Sequence, residues 1–311
     1  MSDCMTATPS DIDSAVDALK NGDLIGMPTE TVYGLAGDAG NPSSVAKIYA
    51  LKNRPAFNPL IAHVCSMQMA SKIGQFSQLA TRLAEAFWPG PLTLVVPASD
   101  DSPVCDLARA GLDTQAIRWP AHKVATEVIR LFERPVVAPS ANKSGRISPT
   151  TSHHVRSEFG SDLGVLLDGG ASVLGLESTV IAIIGNEATL LRSGSLDRAD
   201  IERITGPLTI AGQDDTAPIS PGMLSKHYAP NARLRLMIDS PDPDEAYLAF
   251  GPAEKFALNL SETSDLKEAA SNLYAMLREL DLGHDKIAVA PIPETGLGEA
   301  INDRLRRAAL K

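Results

Sequence analysis

The chain of 311 residues holds only three cysteines, Cys4, Cys65 and Cys105, and they lie far apart. No CxxC pair and no Cys/His cluster forms, so neither a disulfide framework nor zinc-ligand spacing is present. A surplus of positive charge is also missing. Lys and Arg number 28 against 38 Asp and Glu, a formal net charge of -10, which argues against a broad electropositive face for nucleic acid. No apolar run approaches the ~18 residues of a membrane-spanning helix. The N-terminus lacks a basic segment followed by an apolar one, so a reducing cytoplasm is the expected location and no membrane partner is expected. There is no G-x-x-x-x-G-K-S/T motif, so if a nucleotide binds, side chains must hold its phosphates. One absence is local: no Asp or Glu occurs between Asp38 and Glu85, while Lys47, Lys52, Arg54, Lys72 and Arg82 fall in that window. A basic, acid-free segment in an acidic chain is a candidate anion site, with a solvated helix face as the competing reading.

Hydrophobic content of 44% and charged content of 21% are those of a soluble globular protein, and the length suits one large domain or two ordinary ones. Ser10 and Asp13 have capping-box spacing. Ile12, Ala15, Val16 and Leu19 then mark one helix face that Gly22 can end. Strands are expected at 24–27, 60–64, 92–96, 114–119, 135–138, 165–167, 179–184 and 189–191. Helices are expected at about 41–51, 77–87, 122–133 and 197–204. Helices and strands alternate without a clean βαβ repeat, which predicts a mixed α/β sheet. From Gly206 to Asn231 the chain turns rich in Pro, Gly and Asp, a long connection that suggests a boundary. Beyond it, strands at 234–238, 247–250 and 286–291 and helices at 264–280 and 298–309 predict a small α/β domain. The expected division is 1–206, a linker 207–231, and 232–311.

Three constellations could carry chemistry. Lys52 and Arg54 sit near a helix end, where both can reach one polyphosphate, with Asn58 as an amide donor. His63 closes an apolar strand and reads equally as a core residue or a ligand. Arg118, with Thr114 on the same strand, ends an apolar segment before the small-residue loop Ser140–Gly145. A partly buried Arg there needs an anionic partner, from the chain or from a ligand. Ser178 opens one strand and Arg192 closes the next. Two further patterns compete. Ser140-Ala141-Asn142-Lys143 matches the S-x-x-K of penicillin-recognising acylases, but the Ser-Asp-Asn and Lys-Thr-Gly partners are missing. Gly296-Leu297-Gly298 resembles half a dinucleotide fingerprint and reads better as a turn plus helix cap.

Taken together, the segments Pro28–Leu35, Lys52-x-Arg54-Pro55-x-x-Asn58-Pro59-Leu60-Ile61-x-His63 and Ala138-Pro139-Ser140-Ala141-Asn142-x-Ser144-Gly145 resemble the YrdC-like family of threonylcarbamoyl-AMP synthases in its long two-domain form. Glu177-Ser178-Thr179-Val180, Leu191-Arg192, Ser220–Met223, His227–Pro230 and Ile292–Arg304 extend the likeness over nearly the whole chain. Three positions depart from the family pattern. Ala36-Gly37 reverses the usual order in what reads as a turn, Phe57 stands where an acid is common, and Ser225 replaces a usual Tyr.

The resemblance implies a twisted mixed sheet with helices around a concave, positively lined cavity, plus a Rossmann-like C-terminal domain. It implies a nucleotidyltransferase that joins L-threonine, bicarbonate and ATP into threonylcarbamoyl-adenylate and pyrophosphate. The product would pass to a threonylcarbamoyl transferase complex that modifies the tRNA adenosine beside the anticodon. Mg2+ is expected with ATP, its ligands unassigned, and a weak RNA contact is admitted. Carried over by position, Lys52, Arg54, Asn58, Thr114, Asn142, Thr150, Arg192 and Tyr228 are expected at ATP, with Lys52 and Arg54 as the catalytic cations. Thr31, His63, Arg118, Ser140 and Ser178 are expected at threonine. An alternative of another class is a module that recognises structured RNA through the same cavity.

Overall fold

The computed structural model describes residues 7–212 and 228–310. The expected linker therefore lies largely outside the described residues, including Ser220–Met223, Ser225 and His227. Strands β1 (Ile25–Met27), β2 (Gly34–Asp38), β3 (Ile61–His63), β4 (Leu92–Pro97), β5 (Thr114–Arg118), β6 (Val136–Val137), β7 (Val165–Leu166), β8 (Thr179–Ile184), β9 (Glu187–Arg192) and β10 (Thr209–Ile210) form one mixed sheet. Their order is β10-β9-β8-β4-β5-β3-β6-β2-β1-β7. Strands β11 (Arg233–Arg235), β12 (Ala246–Ala249), β13 (Leu258–Asn259) and β14 (Lys286–Val289) form a second, wholly parallel sheet in the order β11-β14-β12-β13.

The helices are α1 (Pro9–Lys20), α2 (Pro42–Lys52), α3 (Met67–Ile73), α4 (Gln78–Phe87), α5 (Asp106–Arg109), α6 (Lys123–Phe132), α7 (Ser152–Phe159), α8 (Arg198–Thr205), α9 (Leu266–Gly283) and α10 (Leu297–Ala309). Ala15, Val16 and Leu19 of α1 pack with Val124, Val128 and Ile129 of α6 over β1 and β6. The main core lies between α2, α4 and the central strands, around Val45, Ile48, Leu83, Leu94 and Ile117. The second sheet buries Leu248, Ile287 and Val289 against Leu273 and Leu277 of α9 and Ile301 and Leu305 of α10. No helix among the described residues is long and apolar enough to cross a membrane.

The mixed sheet and the small parallel α/β unit match the expected fold class. The first sheet also takes in Thr209–Ile210, past the expected boundary at 206. Several local expectations change. The capping box of α1 uses Thr8 and Asp11, not Ser10 and Asp13: Thr8 Oγ1 accepts from Asp11 N at 3.3 Å and Asp11 Oδ2 accepts from Thr8 N at 2.8 Å. Both pairs have the right spacing, but Pro9 is pre-set for a first helical turn and selects the earlier start. Ala36-Gly37 lies inside β2, not in a turn. That strand escapes pattern reading because two glycines give low strand propensity and all five positions are buried, so no alternation shows. Gly296 caps α10 at φ 55°, as the turn-plus-cap reading of the glycine pair requires.

Gly194 makes the tightest junction near the ends of β8 and β9. A Cβ there would collide with backbone at Glu177 and Ser178 and come within 2.5 Å of the Thr179 nitrogen. Backbone cannot swing aside as a side chain can, so Gly194→Ala should cost about 1–3 kcal/mol of stability. Urea unfolding checks this, and an unshifted midpoint would refute the close approach.

Candidate active site

Strand alternation decides which side chains meet. In β5, Ile117 belongs to the main core while Ala116 lies in a small cluster on the opposite face, the face that Arg118 shares. In β3 the same split sends Ala62 to the core and Ile61 to that opposite face. Register pairs Ile61 with Ala116 and His63 with Arg118, so His63 and Arg118 are neighbours on one surface.

The β8–β9 pair needs an irregularity to do the same. Ile181 pairs with Leu190, both core residues, yet the next pair is Val180 with Arg192, because Leu191 is an extra residue. Without this β-bulge Arg192 would lie two residues from Leu190 and face the core. With it, Arg192 joins Val180 on the opposite face.

One hollow on that face is lined by Thr31, Arg54, His63, Arg118, Ser140, Ser178, Arg192 and Tyr228, together with Glu177. Arg118 is 4% exposed. It donates through Nη2 to Glu30 Oε1 at 2.6 Å, through Nη1 to Thr31 Oγ1 at 2.8 Å and through Nε to Gly90 O at 3.2 Å. The Thr29 hydroxyl gives its proton to Val32 O, so Thr31 gives its own to Thr29 Oγ1 and turns a lone pair to Arg118. Arg54 donates Nη2 to Asn58 Oδ1 at 2.6 Å and to Pro59 O at 3.0 Å. Burial, opposed by Tyr49 and reinforced by the Arg192 charge, lowers Arg54 to about 10, which leaves it cationic at neutral pH. Arg192 donates Nε and Nη2 to Ser178 O at 3.2 and 2.9 Å. Burial first, then the Arg118 charge, lowers His63 to about 3, so the ring is neutral. Its Nδ1 lies 3.1 Å from Ile61 O, which assigns the proton to Nδ1 and leaves Nε2 as an acceptor.

The other expected residues stand behind this wall. Lys52 is buried, and its ammonium donates to Ser140 O and Asn142 O, which pins the loop after β6 from beneath. Burial and Arg54 lower its pKa. Asn58 orients Arg54. Asn142 Nδ2 donates to Lys143 O and Arg146 O at 2.9 and 2.8 Å, while its buried Oδ1 has no partner among the described residues. Thr150 is buried beside His154 at the start of α7. Thr114 opens β5, four residues and therefore ~13 Å from Arg118, and does not line the hollow. Two acids went unassigned in the sequence reading, although both stand inside the quoted motifs. Glu30 holds Arg118, and Glu177 forms part of the wall.

Of the five cations in the acid-free window, only Lys52 and Arg54 serve this region. Lys47 pairs with Asp23 at 2.9 Å, and Lys72 and Arg82 are exposed, as a solvated helix face would have them. Larger hollows of about 380 and 420 Å3 follow the seam between the two sheets. Their arginines are largely matched by carboxylates, as in Arg198–Glu299, Arg306–Glu294, Arg307–Asp303 and Arg278–Glu158. The hollow with Arg54, Arg118 and Arg192 thus combines cations, hydroxyls and a neutral imidazole, a set suited to holding a polyanion beside a small polar ligand.

Residues 17–194 match the Sua5/YciO/YrdC family model, described as "Telomere recombination", and residues 196–310 match the model described as "Threonylcarbamoyl-AMP synthase, C-terminal domain". The chain is 38% identical to the threonylcarbamoyl-AMP synthase of Pyrococcus abyssi, with 95% of this chain and 93% of that protein covered. It is 35% identical to the protein of the same name from Bacillus subtilis, with 99% and 96% covered. The crystal structure of P. abyssi Sua5 complexed with L-threonine superposes with a TM-score of 0.89 at 36% identity, covering 96% of this chain and 94% of that one. Escherichia coli YciO, 18% identical with a TM-score of 0.52, shares the fold over 61% of this chain. Both halves match and the likeness runs nearly end to end: the chain belongs to the Sua5/YrdC family of threonylcarbamoyl-AMP synthases.

Proposed function

We propose that this protein is an L-threonylcarbamoyladenylate synthase, a nucleotidyltransferase acting on L-threonine, bicarbonate and ATP. The observation that carries the reading is the meeting of Arg54, Arg118 and Arg192 with Thr31, Ser140 and Ser178 in one hollow. In the reaction, the amine of threonine and bicarbonate form a carbamate with loss of water. A carbamate oxygen attacks the α-phosphorus of ATP, the bond to the β-phosphate oxygen breaks, and pyrophosphate leaves with that electron pair. No side-chain nucleophile is needed. The chain supplies orientation and stabilises charge that develops on the phosphoryl oxygens.

Arg54 and Arg192 take the phosphates in this reading, and Tyr228 closes the nucleotide side. Lys52, Asn58, Asn142 and Thr150 serve ATP from behind the wall by shaping the loops that meet it, and the same role is the one open to Thr114. Thr31, Ser140 and Ser178 face the threonine. With its low pKa, His63 is a poor base and a good acceptor at Nε2. Arg118 pairs with the threonine carboxylate, its plane set by Glu30 and Thr31. A hydroxyl-lined pocket rejects valine, because the isostere would leave polar groups unpaired.

Among the described residues no group of three or more His, Cys, Asp and Glu is placed to hold a metal ion. Mg2+, expected with ATP, would be held mainly by its phosphate oxygens and water, with its protein ligands unassigned. The catalytic unit is the expected 1–206 extended through β10 to Ile210, and 232–311 form the second unit. Cytoplasmic location, transfer of the product to a threonylcarbamoyl transferase complex acting on tRNA, and a weak RNA contact complete the proposal.

Pyrophosphate release should require both threonine and bicarbonate; undiminished release with either omitted would overturn the assignment. Arg54→Ala should lose about 100-fold or more in turnover while keeping its far-UV circular dichroism, since a phosphate-gripping guanidinium acts on the transition state. Wild-type turnover would remove that role. Arg118→Ala should raise the KM for threonine about tenfold more than that for ATP, as expected for a charge-assisted carboxylate contact. The reverse order would reassign Arg118.

A further inference from the structure

The segment 168–176 forms no helix or strand and belongs to none of the motifs, yet it runs along the Pro28–Tyr33 loop. Gly169 N donates to Tyr33 Oη at 3.0 Å, and Tyr33 Oη donates to Gly170 O at 2.7 Å. Further on, Ser172 Oγ donates to Thr29 O at 3.0 Å and Leu174 N to Glu30 O at 2.8 Å. Two consecutive carbonyls just before Thr31 are thus held by one strap. Ser172 and Thr29 are both buried, and among the described residues the Ser172 hydroxyl is the one donor to Thr29 O.

Those carbonyls belong to a turn that faces the hollow. Thr29 Oγ1 donates to Val32 O at 2.6 Å and accepts from the nitrogens of Thr31 and Val32, each at 3.2 Å. The turn so closed aims Glu30 Oε1 and Thr31 Oγ1 at Arg118. Both side-chain partners of Arg118 among the described residues therefore stand on a turn that the strap fastens. The strap is itself backed by α9: a Cβ on Gly175, at φ 70°, would come within 2.5 Å of Ala270 O and 2.6 Å of Ser271 O. On the nucleotide side Ser172 is tied only through its backbone, whose N donates to Thr150 O at 2.8 Å.

We infer that Ser172 is a positioning residue for the threonine side of the hollow: its hydroxyl sets the Thr29 carbonyl, and with it the stance of Glu30 and Thr31 against Arg118. Without that hydroxyl Thr29 O is buried and lacks a donor, so the peptide joining Thr29 to Glu30 gains by turning towards another. Its rotation shifts Glu30 and Thr31 relative to Arg118. Leu174 still holds Glu30 O, and the Thr29 hydroxyl still closes the turn. The result is a misplaced wall and weaker threonine binding, with the fold intact.

The inference rests on the reading of Arg118 as partner of the threonine carboxylate, and the variants separate the two. In the full chain, Ser172→Ala should raise the KM for threonine by about fivefold, the size expected of one hydrogen bond. The KM for ATP should stay within about twofold, because alanine keeps the N–H that reaches Thr150 O. A residue that merely held the fold together would move both constants alike. An unchanged KM for threonine, or an equal rise in both, overturns the inference. Added to Arg118→Ala, Ser172→Ala should raise the KM for threonine by less than about twofold further, since contacts in one chain do not act independently. A second full rise in that background also overturns it. Arg118→Ala alone decides the parent reading: a KM for threonine that does not rise sinks both. A KM that rises there while Ser172→Ala matches the wild type sinks the inference alone.

Discussion

Burying charge beside charge is the constraint on which this structure turns. A guanidinium taken out of water must be matched by hydrogen bonds and a counter-charge, or the desolvation cost goes uncompensated. Around this hollow the protein meets that requirement with a carboxylate in one case and with neutral oxygens in others. Arg118 is matched by Glu30, Thr31 and a carbonyl. Arg54 is held by the neutral oxygens of Asn58 and Pro59, and Arg192 donates to the Ser178 carbonyl. The Glu177 carboxylate in the wall is held from the second sheet's side, by Tyr274 and Arg304.

That division of labour explains the two-sheet build. The ten-stranded sheet supplies the ends of β3, β5 and β9, and its loops bring Arg54 and Ser140. The four-stranded sheet carries α9 and α10, whose buried Tyr274 and Arg304 insert into the seam against Glu177. Tyr228 bridges the two, since it lines the hollow and stacks on Tyr274. Serine chemistry at the S-x-x-K pattern finds no support here: Lys143 is exposed, and no hydrogen bond joins its ammonium to Ser140.

Much of the site was legible as motif. Arg54, His63, Arg118, Ser140, Ser178 and Arg192 all stood out in the chain and do share the hollow. Lys52 was legible as a residue but not as to its placement, because nothing in Lys-Asn-Arg says which cation turns to the open face. The left-handed Asn53, φ 50°, separates the two, and Lys52 goes under the Ser140 loop. The larger strands were legible from apolar runs. The fully buried glycine-bearing β2 and the short β10 and β13 were not, since burial on every position, or two residues of length, leaves no period to detect.

By itself the sequence determined the fold class, the acid-free basic stretch and the family, because composition, spacing and motif order are properties of a linear chain. Only the tertiary structure decided which charges act together. Arg118 meets His63 through strand register, Arg192 turns to the hollow through one extra residue at Leu191, and Glu177 is held by Arg304, which lies 127 positions away. Register, bulges and long-range burial depend on what packs opposite, and no local stretch of sequence contains that information.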